Sequence, residues 1–153
     1  MKSICYYDSP VGRLRIAEDG TGITEVTLVK AEVAAFEPCE TELLKEAVRQ
    51  LKEYFAGSRR VFDLPLSLKG TPFQLSVWEA LQTIPYGSTC SYQQIAVQVG
   101  NPKACRAVGM ANNRNPVIIV VPCHRVIGKN GAMVGYGGGI DVKEHLLRLE
   151  HEA

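Results

Sequence analysis

Apolar and polar residues alternate along the first thirty positions, in the pattern of short strands separated by turns. Residues 13–17 alternate polar and apolar side chains, and residues 23–29 repeat the alternation. Turn-forming residues stand before each segment, at 9–12 (Ser-Pro-Val-Gly) and at 19–20 (Asp-Gly). Short turns between strands predict antiparallel pairing.

A helical pattern follows from about Thr41 to Ala56, where apolar residues recur at three- and four-residue spacing. They are Leu43, Leu44, Ala47, Val48, Leu51, Tyr54 and Phe55. Gly57 is a suitable C-terminal stop. Nothing in residues 1–65 suggests chemistry, so we interpret them as an α/β scaffold domain.

A second domain, residues 66–153, begins with a linker that ends at Gly70. The segment 71–74 (Thr-Pro-Phe-Gln) has a capping Thr, a Pro at the first helical position and a Gln at the third. It predicts a helix that continues to about Thr83, where 85–87 (Pro-Tyr-Gly) breaks it.

Two short helices are predicted next. The segment 91–94 (Ser-Tyr-Gln-Gln) is a capping box for the first, which closes at Gly100. Asn101-Pro102 opens the second, over residues 103–111. Two helices joined by Gly-Asn-Pro resemble a helix-turn-helix, whose second helix contacts DNA. An ordinary helical hairpin has the same pattern, so both interpretations stay open.

Five consecutive β-branched residues, 117–121, predict a buried strand that ends at Pro122. The segment 128–131 predicts a hairpin turn, and 136–139 predicts a loop that allows close approach. Residues 141–144 predict the cap of a last helix, with apolar positions at Leu146, Leu147 and Leu149.

Composition is that of a soluble globular protein, because 46% of the 153 residues are hydrophobic and 22% are charged. No apolar run approaches the roughly 20 residues of a membrane span. The first residues lack the long apolar region of a signal peptide. We therefore expect a cytoplasmic protein without membrane contact.

The net charge of +1 hides an uneven distribution. Residues 86–143 hold six basic residues and one acid, a net charge of +5, which leaves −4 for the rest. A basic half suits a surface that binds a polyanion. Chance clustering of the six basic residues is the alternative interpretation.

The five cysteines argue against two common structural uses. They are Cys5, Cys39, Cys90, Cys105 and Cys123. An odd number without a Cys-x-x-Cys pair argues against a disulfide framework and against a four-ligand zinc site, so we expect no metal. His145 and His151, on the last helix, are expected to be surface groups rather than ligands.

The segment 120–126 (Val-Val-Pro-Cys-His-Arg-Val) bears most directly on chemistry. A free thiol, with a pKa near ~8.5, needs a base, a cation or a helix terminus to form a thiolate at neutral pH. His124 and Arg125 follow Cys123 directly, and Pro122 removes a backbone donor at the end of the predicted strand. A Cys-His dipeptide can also be structural, and adjacent strand residues point to opposite faces. The residues alone leave both interpretations open.

The segment 122–126 (Pro-Cys-His-Arg-Val) resembles the active-site motif of the O6-alkylguanine-DNA alkyltransferases. Segments 9–12, 91–96, 106–109, 112–116 and 136–150 resemble the same family, in its order and at its spacing. The resemblance covers the whole chain and is densest over residues 71–150. It implies an α+β protein: an N-terminal ribonuclease-H-like α/β domain with a small antiparallel sheet, and a mostly helical, winged-helix-like C-terminal domain with a helix-turn-helix.

The resemblance implies a catalytic group made of five side chains. Cys123 is the acceptor nucleophile, and His124 is its base through a bridging water, oriented by Glu150. Tyr92 donates to the ring nitrogen N3 of the leaving guanine. Asn115 supports the turn that holds the site.

The implied substrate pocket consists of Val126, Tyr136, Gly137, Lys143, Ile118 and Trp78. In the family the carbonyl groups at Cys123 and Val126 accept from the guanine amino group, and the backbone N–H at Gly137 faces O6. The family often has Ser at the position of Gly137, and some members have Pro at the position of Ile118. The loss of the hydroxyl predicts a wider pocket.

The implied DNA contacts are Arg106, Tyr92, Ala107, Gly109, Lys103 and Arg114. Arg106 fills the gap that a flipped nucleotide leaves, and Tyr92 pushes on the adjacent phosphate. Ala107 and Gly109 are small enough for close approach to the minor groove.

The implied function is DNA repair by direct reversal. An alkyl group on O6 of guanine, or O4 of thymine, in duplex DNA moves to Cys123 after base flipping. The thioether product has no good leaving route, so one protein repairs one lesion without a cofactor. Duplex DNA containing the lesion is the expected partner of a monomer.

Three alternatives are weaker. Alkyltransferase-like proteins bind the lesion but lack the acceptor cysteine, which is present here. A helix-turn-helix regulator without chemistry leaves the Cys123 segment and Glu150 unexplained. A cysteine hydrolase needs a catalytic His remote in sequence and a pocket for an acyl substrate.

Overall fold

The computed structural model describes residues 3–29, 41–128 and 140–152. The chain divides into two compact units, Met1–Leu68 and Lys69–Ala153. Within the described ranges, no helix has the length and apolar character needed to cross a membrane. The loop predicted at 136–139, and all but the first residue of the turn predicted at 128–131, lie outside these ranges.

The first unit contains a three-stranded antiparallel sheet in the order β1-β2-β3, which confirms the predicted pairing. The strands are Ser3–Ser9, Gly12–Glu18 and Ile23–Leu28. Gly12 closes the first hairpin at φ +125°, where a side chain would be strained. Leu14 and Ile16 are fully buried, as the alternation predicted.

The helix α1, Glu42–Phe55, packs its apolar face against β1 and β2. The Thr41 side chain caps it by accepting from the backbone N–H of Leu44 at 3.1 Å. Gly57, at φ +80°, follows its end as predicted. The buried Gln50 amide exchanges two hydrogen bonds with the backbone of Asp63, which holds the returning chain against the helix.

In its described residues, the second unit consists mainly of four helices. They are α2 (Pro72–Leu81), α3 (Tyr92–Gln98), α4 (Cys105–Asn113) and α5 (Ile140–Glu152). The short strands β4 (Cys90–Ser91) and β5 (Val126–Ile127) pair in parallel. Both predicted capping boxes are present, at Thr71 with Gln74 and at Ser91 with Gln94.

The second helix of the predicted pair begins later than the sequence indicated. We placed its start at Lys103, but α4 starts at Cys105 and continues to Asn113. The backbone N–H of Ala104 bonds the carbonyl of Asn101 at 3.0 Å, so residues 101–104 form a turn of their own. Lys103 therefore precedes the helix instead of lying on its first turn.

The prediction of a buried strand at 117–121 is wrong, although four of its five side chains are buried. The segment forms tight turns, in which the N–H of Val120 bonds the carbonyl of Ile118 at 2.8 Å. Ile119 has φ +75°, which is rare for a β-branched residue. The Asn115 side chain determines this shape, because its amide binds both ends of the segment and draws them together.

Two further predictions are corrected. Residues 141–144 lie inside the first turns of α5, which begins at Ile140, and not at its cap. Among the described cysteines, Cys90, Cys105 and Cys123 are free thiols, whereas Cys5 is disulfide-bonded. The odd number of cysteines argued against a disulfide framework and did not predict this bond.

Candidate active site

Cys123 does not end a strand but begins a 3-10 helix, Cys123–Arg125, which leads into β5. Its backbone N–H bonds the carbonyl of Val121 at 2.8 Å across Pro122, whose φ of −81° and ψ of 64° make this an inverse γ-turn. Its own carbonyl accepts from the N–H of Val126. These two hydrogen bonds fix the backbone of Cys123, and the residue is only 2% exposed, so its thiol is buried.

Asn115 makes two hydrogen bonds to the backbone that precedes Cys123. Its Nδ2 donates to the carbonyl of Val121 at 2.7 Å, and its Oδ1 accepts from the N–H of Val117 at 2.9 Å. Both bonds are buried. The Asn115 amide therefore fixes the end of the turn that immediately precedes Pro122 and Cys123.

We expect Asn115→Ala to lower the free energy of unfolding by about 2–4 kcal/mol, because two buried backbone groups lose their partner. Asn113→Ala, at an exposed position two residues earlier, is the matched control and should change it by less than about 0.5 kcal/mol. Urea denaturation measures both variants. An Asn115→Ala variant as stable as the control would contradict the supporting role.

His124 is fully buried, and its Nε2 lies 2.6 Å from Oε2 of Glu150. A carboxylate only accepts, so Nε2–H donates and Nδ1 holds the lone pair. Within the part of the chain that the structure describes, Nδ1 has no hydrogen-bond partner. Burial lowers the pKa of His124, although Glu150 opposes this effect. The imidazole is therefore neutral at neutral pH and able to accept a proton.

Glu150 lies on α5 and is 3% exposed. Besides the imidazole, it accepts from Arg125, whose Nε lies 2.8 Å from Oε1 and whose Nη2 lies 3.0 Å from Oε2. The backbone N–H of Gly87 adds a longer bond of 3.4 Å. These donors fix the carboxylate in one orientation beside His124.

Lys143 is a second buried cation near the acceptor. It is fully buried on α5, and its Nζ donates to the carbonyl of Val126 at 2.5 Å. Burial lowers the pKa of Lys143, which the neighbouring Cys123 partly opposes. A carbonyl has two lone pairs, so Val126 keeps one for a further donor.

The other predicted pocket residues divide into three groups. Ile118 is 7% exposed, in the turn before Cys123. Trp78 is a core residue that joins α2 to α4, because its Nε1 donates to the carbonyl of Ala111 at 2.9 Å. Tyr136 and Gly137 lie outside the described residues.

Tyr92 is the first residue of α3 and is half-buried. Burial raises the pKa of its phenol, and the nearby Cys123 adds to this rise. The phenol therefore keeps its proton at neutral pH. Gly109 of α4 faces this ring, since a Cβ there would lie 3.8 Å from it.

The exposed face of α4 has the composition of a DNA-binding surface. Its exposed residues are Arg106, Ala107, Met110 and Asn113, with Arg114 directly after the helix. No acidic residue occurs in α4, and the exposed Lys103 lies just before it. The structure thus places four of the six predicted DNA contacts together, whereas Gly109 and Tyr92 face each other between α3 and α4.

Asn112 is a site residue that the sequence analysis missed. It is 1% exposed on the buried face of α4, and its Nδ2 lies 3.3 Å from the carbonyl oxygen of Cys123. It links the predicted DNA-binding helix to the backbone of the acceptor cysteine. The signal in the sequence that could have identified Asn112 was a polar residue on the face of the helix that is otherwise apolar.

Comparison with known proteins decides the family. The family model "6-O-methylguanine DNA methyltransferase, ribonuclease-like domain" matches residues 4–68, and the model "6-O-methylguanine DNA methyltransferase, DNA binding domain" matches residues 72–152. The chain belongs to this methyltransferase family. The expected family and fold class are thereby confirmed.

Individual relatives agree with this assignment. The methylated-DNA–protein-cysteine methyltransferase of Methanosarcina acetivorans is 51% identical, over 94% of this chain and 95% of that protein. The constitutive enzyme of Bacillus subtilis is 53% identical, over 94% and 92%. Both proteins match this member of the family over nearly their whole length.

Solved structures extend the agreement to three dimensions. The O6-methylguanine methyltransferase of Mycobacterium tuberculosis has a TM-score of 0.88 and 47% identity, over 99% of this chain and 94% of that chain. The Mycobacterium tuberculosis OGT crystallised in complex with DNA has a TM-score of 0.88 and 48% identity, over 97% and 92%.

Proposed function

We propose that this protein repairs DNA by moving an alkyl group from O6 of a guanine in duplex DNA to Sγ of Cys123. The geometry of His124 is the observation that carries this proposal. Its Nε2–H donates to Glu150, and its Nδ1 retains a lone pair one residue from a buried free thiol. The names of the relatives, and the DNA complex of one of them, support the choice of substrate.

The proton moves first. Nδ1 of His124 takes the thiol proton through a bridging water, and Glu150 stabilises the imidazolium that forms. The thiolate then attacks the alkyl carbon. The new C–S bond forms as the C–O6 bond breaks, and the electron pair of that bond stays on the guanine. The phenol of Tyr92 donates its proton to N3 of the departing base. The imidazolium of His124 then returns a proton to the phenolate of Tyr92, so the proton that the thiol lost is balanced by the one that guanine gains.

The pocket recognises guanine through backbone groups. The carbonyl of Val126, which keeps a lone pair beside its bond from Lys143, accepts from the guanine amino group. The carbonyl of Cys123, the second acceptor that the resemblance implies, already accepts from the N–H of Val126 and from Nδ2 of Asn112. Ile118 and Lys143 line the rest of the pocket in the described part of the chain. Trp78 contributes indirectly, since its bond to Ala111 supports α4.

The exposed face of α4 enters the minor groove of the duplex. Flipping the damaged nucleotide costs a few kcal/mol, and Arg106 fills the space that it leaves. Ala107 allows close approach, and Lys103 and Arg114 contact phosphates. Gly109 contributes by leaving room for the ring of Tyr92 beside the helix. Tyr92, next to this helix, pushes on the phosphate beside the lesion.

Arg106→Ala should slow transfer from duplex DNA by about tenfold or more, because each 1.4 kcal/mol of lost flipping energy is a factor of ten. Transfer from free O6-benzylguanine, which needs no flipping, should keep its wild-type rate. Arg148→Ala, an exposed arginine of α5, is the control. Equal slowing with both substrates would show that Arg106 acts on the chemistry and not on flipping.

The wider proposal follows from the chemistry of the product. The thioether is stable, so one molecule repairs one lesion and needs no cofactor. O4-alkylthymine is a second substrate. The protein acts as a monomer in the cytoplasm, with damaged duplex DNA as its partner and no membrane contact.

Intact mass spectrometry tests the function. Wild-type protein mixed with duplex DNA containing one O6-methylguanine should gain one CH2 unit on Cys123, and a second equivalent of DNA should add nothing. Protein that binds this duplex without any mass change would sink the repair function in favour of lesion binding alone.

A further inference from the structure

The structure assigns a role to Arg125: it is a positioning residue whose guanidinium holds Glu150, and through Glu150 it orients His124 for alkyl transfer. In this role Arg125 acts through Glu150 and His124 and not on the reacting atoms. The inference rests on the proposed function, because His124 matters only if Cys123 reacts.

The guanidinium of Arg125 is surrounded by partners. It is 6% exposed, and three of its nitrogens donate to buried acceptors. Nε and Nη2 bind the two oxygens of Glu150 at 2.8 and 3.0 Å, and Nη1 binds the carbonyl of Ile84 at 2.7 Å. Its carbon Cζ lies 5.7 Å from the ring centre of Tyr86. A planar fork held at this many points has one orientation.

Glu150 requires this support because of its position. It lies two residues before Glu152, the last residue of α5, and helix ends fray. Its other donors include the imidazole of His124 and the distant N–H of Gly87, at 3.4 Å. The two bonds from Arg125 are charge-assisted and reach both carboxylate oxygens, so they restrict rotation of the carboxylate and fix the orientation of the imidazole that donates to it. The bond from Nη1 of Arg125 to the carbonyl of Ile84 also ties the guanidinium, and with it Glu150, to the turn that follows α2.

Arg125 also affects the proton affinity of the base. Oε2 of Glu150 accepts from both Nη2 of Arg125 and Nε2 of His124. The charged groups that act on His124 are Glu150 and Lys143 of α5 and Arg125 in its own turn, with the titratable Cys123 directly before it. Both cations oppose protonation of the imidazole. Arg125 therefore keeps His124 neutral, in the form that can take the thiol proton.

This role differs from that of a merely structural ion pair. A structural pair would stabilise the unit, and its loss would slow every reaction of Cys123 to the same extent. A residue that acts through His124 has no effect on the rate once His124 is removed. Its loss should also change the dependence of the rate on pH.

The experiment compares Arg125→Met and Arg125→Lys in two backgrounds, the native protein and His124→Asn. Single-turnover transfer from O6-methylguanine duplex is followed across pH, including alkaline pH, where the thiolate forms without a base. With His124 present, both variants should react about tenfold more slowly or worse. In the His124→Asn background, they should change the rate by less than about twofold. Arg148→Met, at an exposed position of α5, is the control for loss of a positive charge.

The pH profile adds a separate readout. The wild-type rate should fall only below about pH 6.5, the ordinary pKa of histidine, because burial lowers the pKa of His124. Arg125→Met removes a cation that opposes protonation, so the fall should move to higher pH. Arg125→Lys keeps a positive charge, so the pH at which the rate falls should shift less than in Arg125→Met.

Equal slowing in both backgrounds would overturn the inference, as would wild-type rates and an unchanged pH profile in the folded variants. If Arg125→Met does not fold, the rates of Arg125→Lys with and without His124 provide the same test. Failure of the proposed function is distinct, since the wild-type protein would then take no alkyl group from the duplex.

Discussion

Cys123→Ser should take up no alkyl group from O6-methylguanine duplex DNA. Removal of a covalent nucleophile costs on the order of 10⁶ in rate, and a serine hydroxyl does not ionise at the pH at which a thiol does. The fold should persist, because sulfur and oxygen differ little in size and Cys123 is held by its backbone. Intact mass after incubation with the duplex, and the melting temperature of the variant, measure the two effects.

The other free thiols of the described chain are the internal controls. Cys90 and Cys105 are half-buried, and the Sγ of Cys105 donates to Oε1 of Gln93 at 2.9 Å. Burial raises the pKa of Cys90, which reduces its thiolate at neutral pH. Cys90→Ser and Cys105→Ser should therefore accept one alkyl group like the wild type. An alkyl group found on the Cys123→Ser variant would identify a different acceptor.

Local signals in the sequence predicted much of the fold correctly. The capping boxes that begin at Thr71 and Ser91 are present, and Gly57 follows the end of α1. Such features depend on residues within one turn of each other, so the sequence contains all that determines them. The alternation in residues 13–17 similarly predicted a strand with one buried face.

The turns before Cys123 could not be predicted in this way. Residues 117–121 have the composition of a buried strand, and the prediction of burial was correct. Their shape depends on the side chain of Asn115, which binds the two ends of the segment. β-propensity reflects how side chains pack against one another, so it contains no information on hydrogen bonds from one side chain to two backbone groups. A β-branched residue at φ +75°, as at Ile119, is possible only because the surrounding bonds impose it.

In the site, too, contacts between residues adjacent in the sequence could be predicted, and contacts between distant residues could not. The adjacency of Cys123, His124 and Arg125 was evident from the sequence, but their directions were not. His124 and Arg125 both reach Glu150, which is 26 residues from His124 in the chain. The role predicted for Glu150 came from the resemblance to a family, because no spacing rule connects residues so far apart.

Glu150→Ala should be the most destabilising single change in this site. Breaking a buried ion pair by removing one partner costs about 3–5 kcal/mol, because the other charge stays buried. Here the cation of Arg125 and the Nε2–H of His124 both lose their acceptor. Transfer should slow as well, because the imidazole is no longer oriented and the imidazolium is no longer stabilised.

Glu144→Ala, an exposed position on the same helix, is the matched control and should change the unfolding free energy by less than about 0.5 kcal/mol. Combining Glu150→Ala with Arg125→Met should cost less than the sum of the single changes, since the double variant buries no unpaired charge. Urea denaturation of the four proteins measures this coupling. Additive losses would mean that the two side chains stabilise the unit independently, and the orientation of His124 would then need a source other than their ion pair.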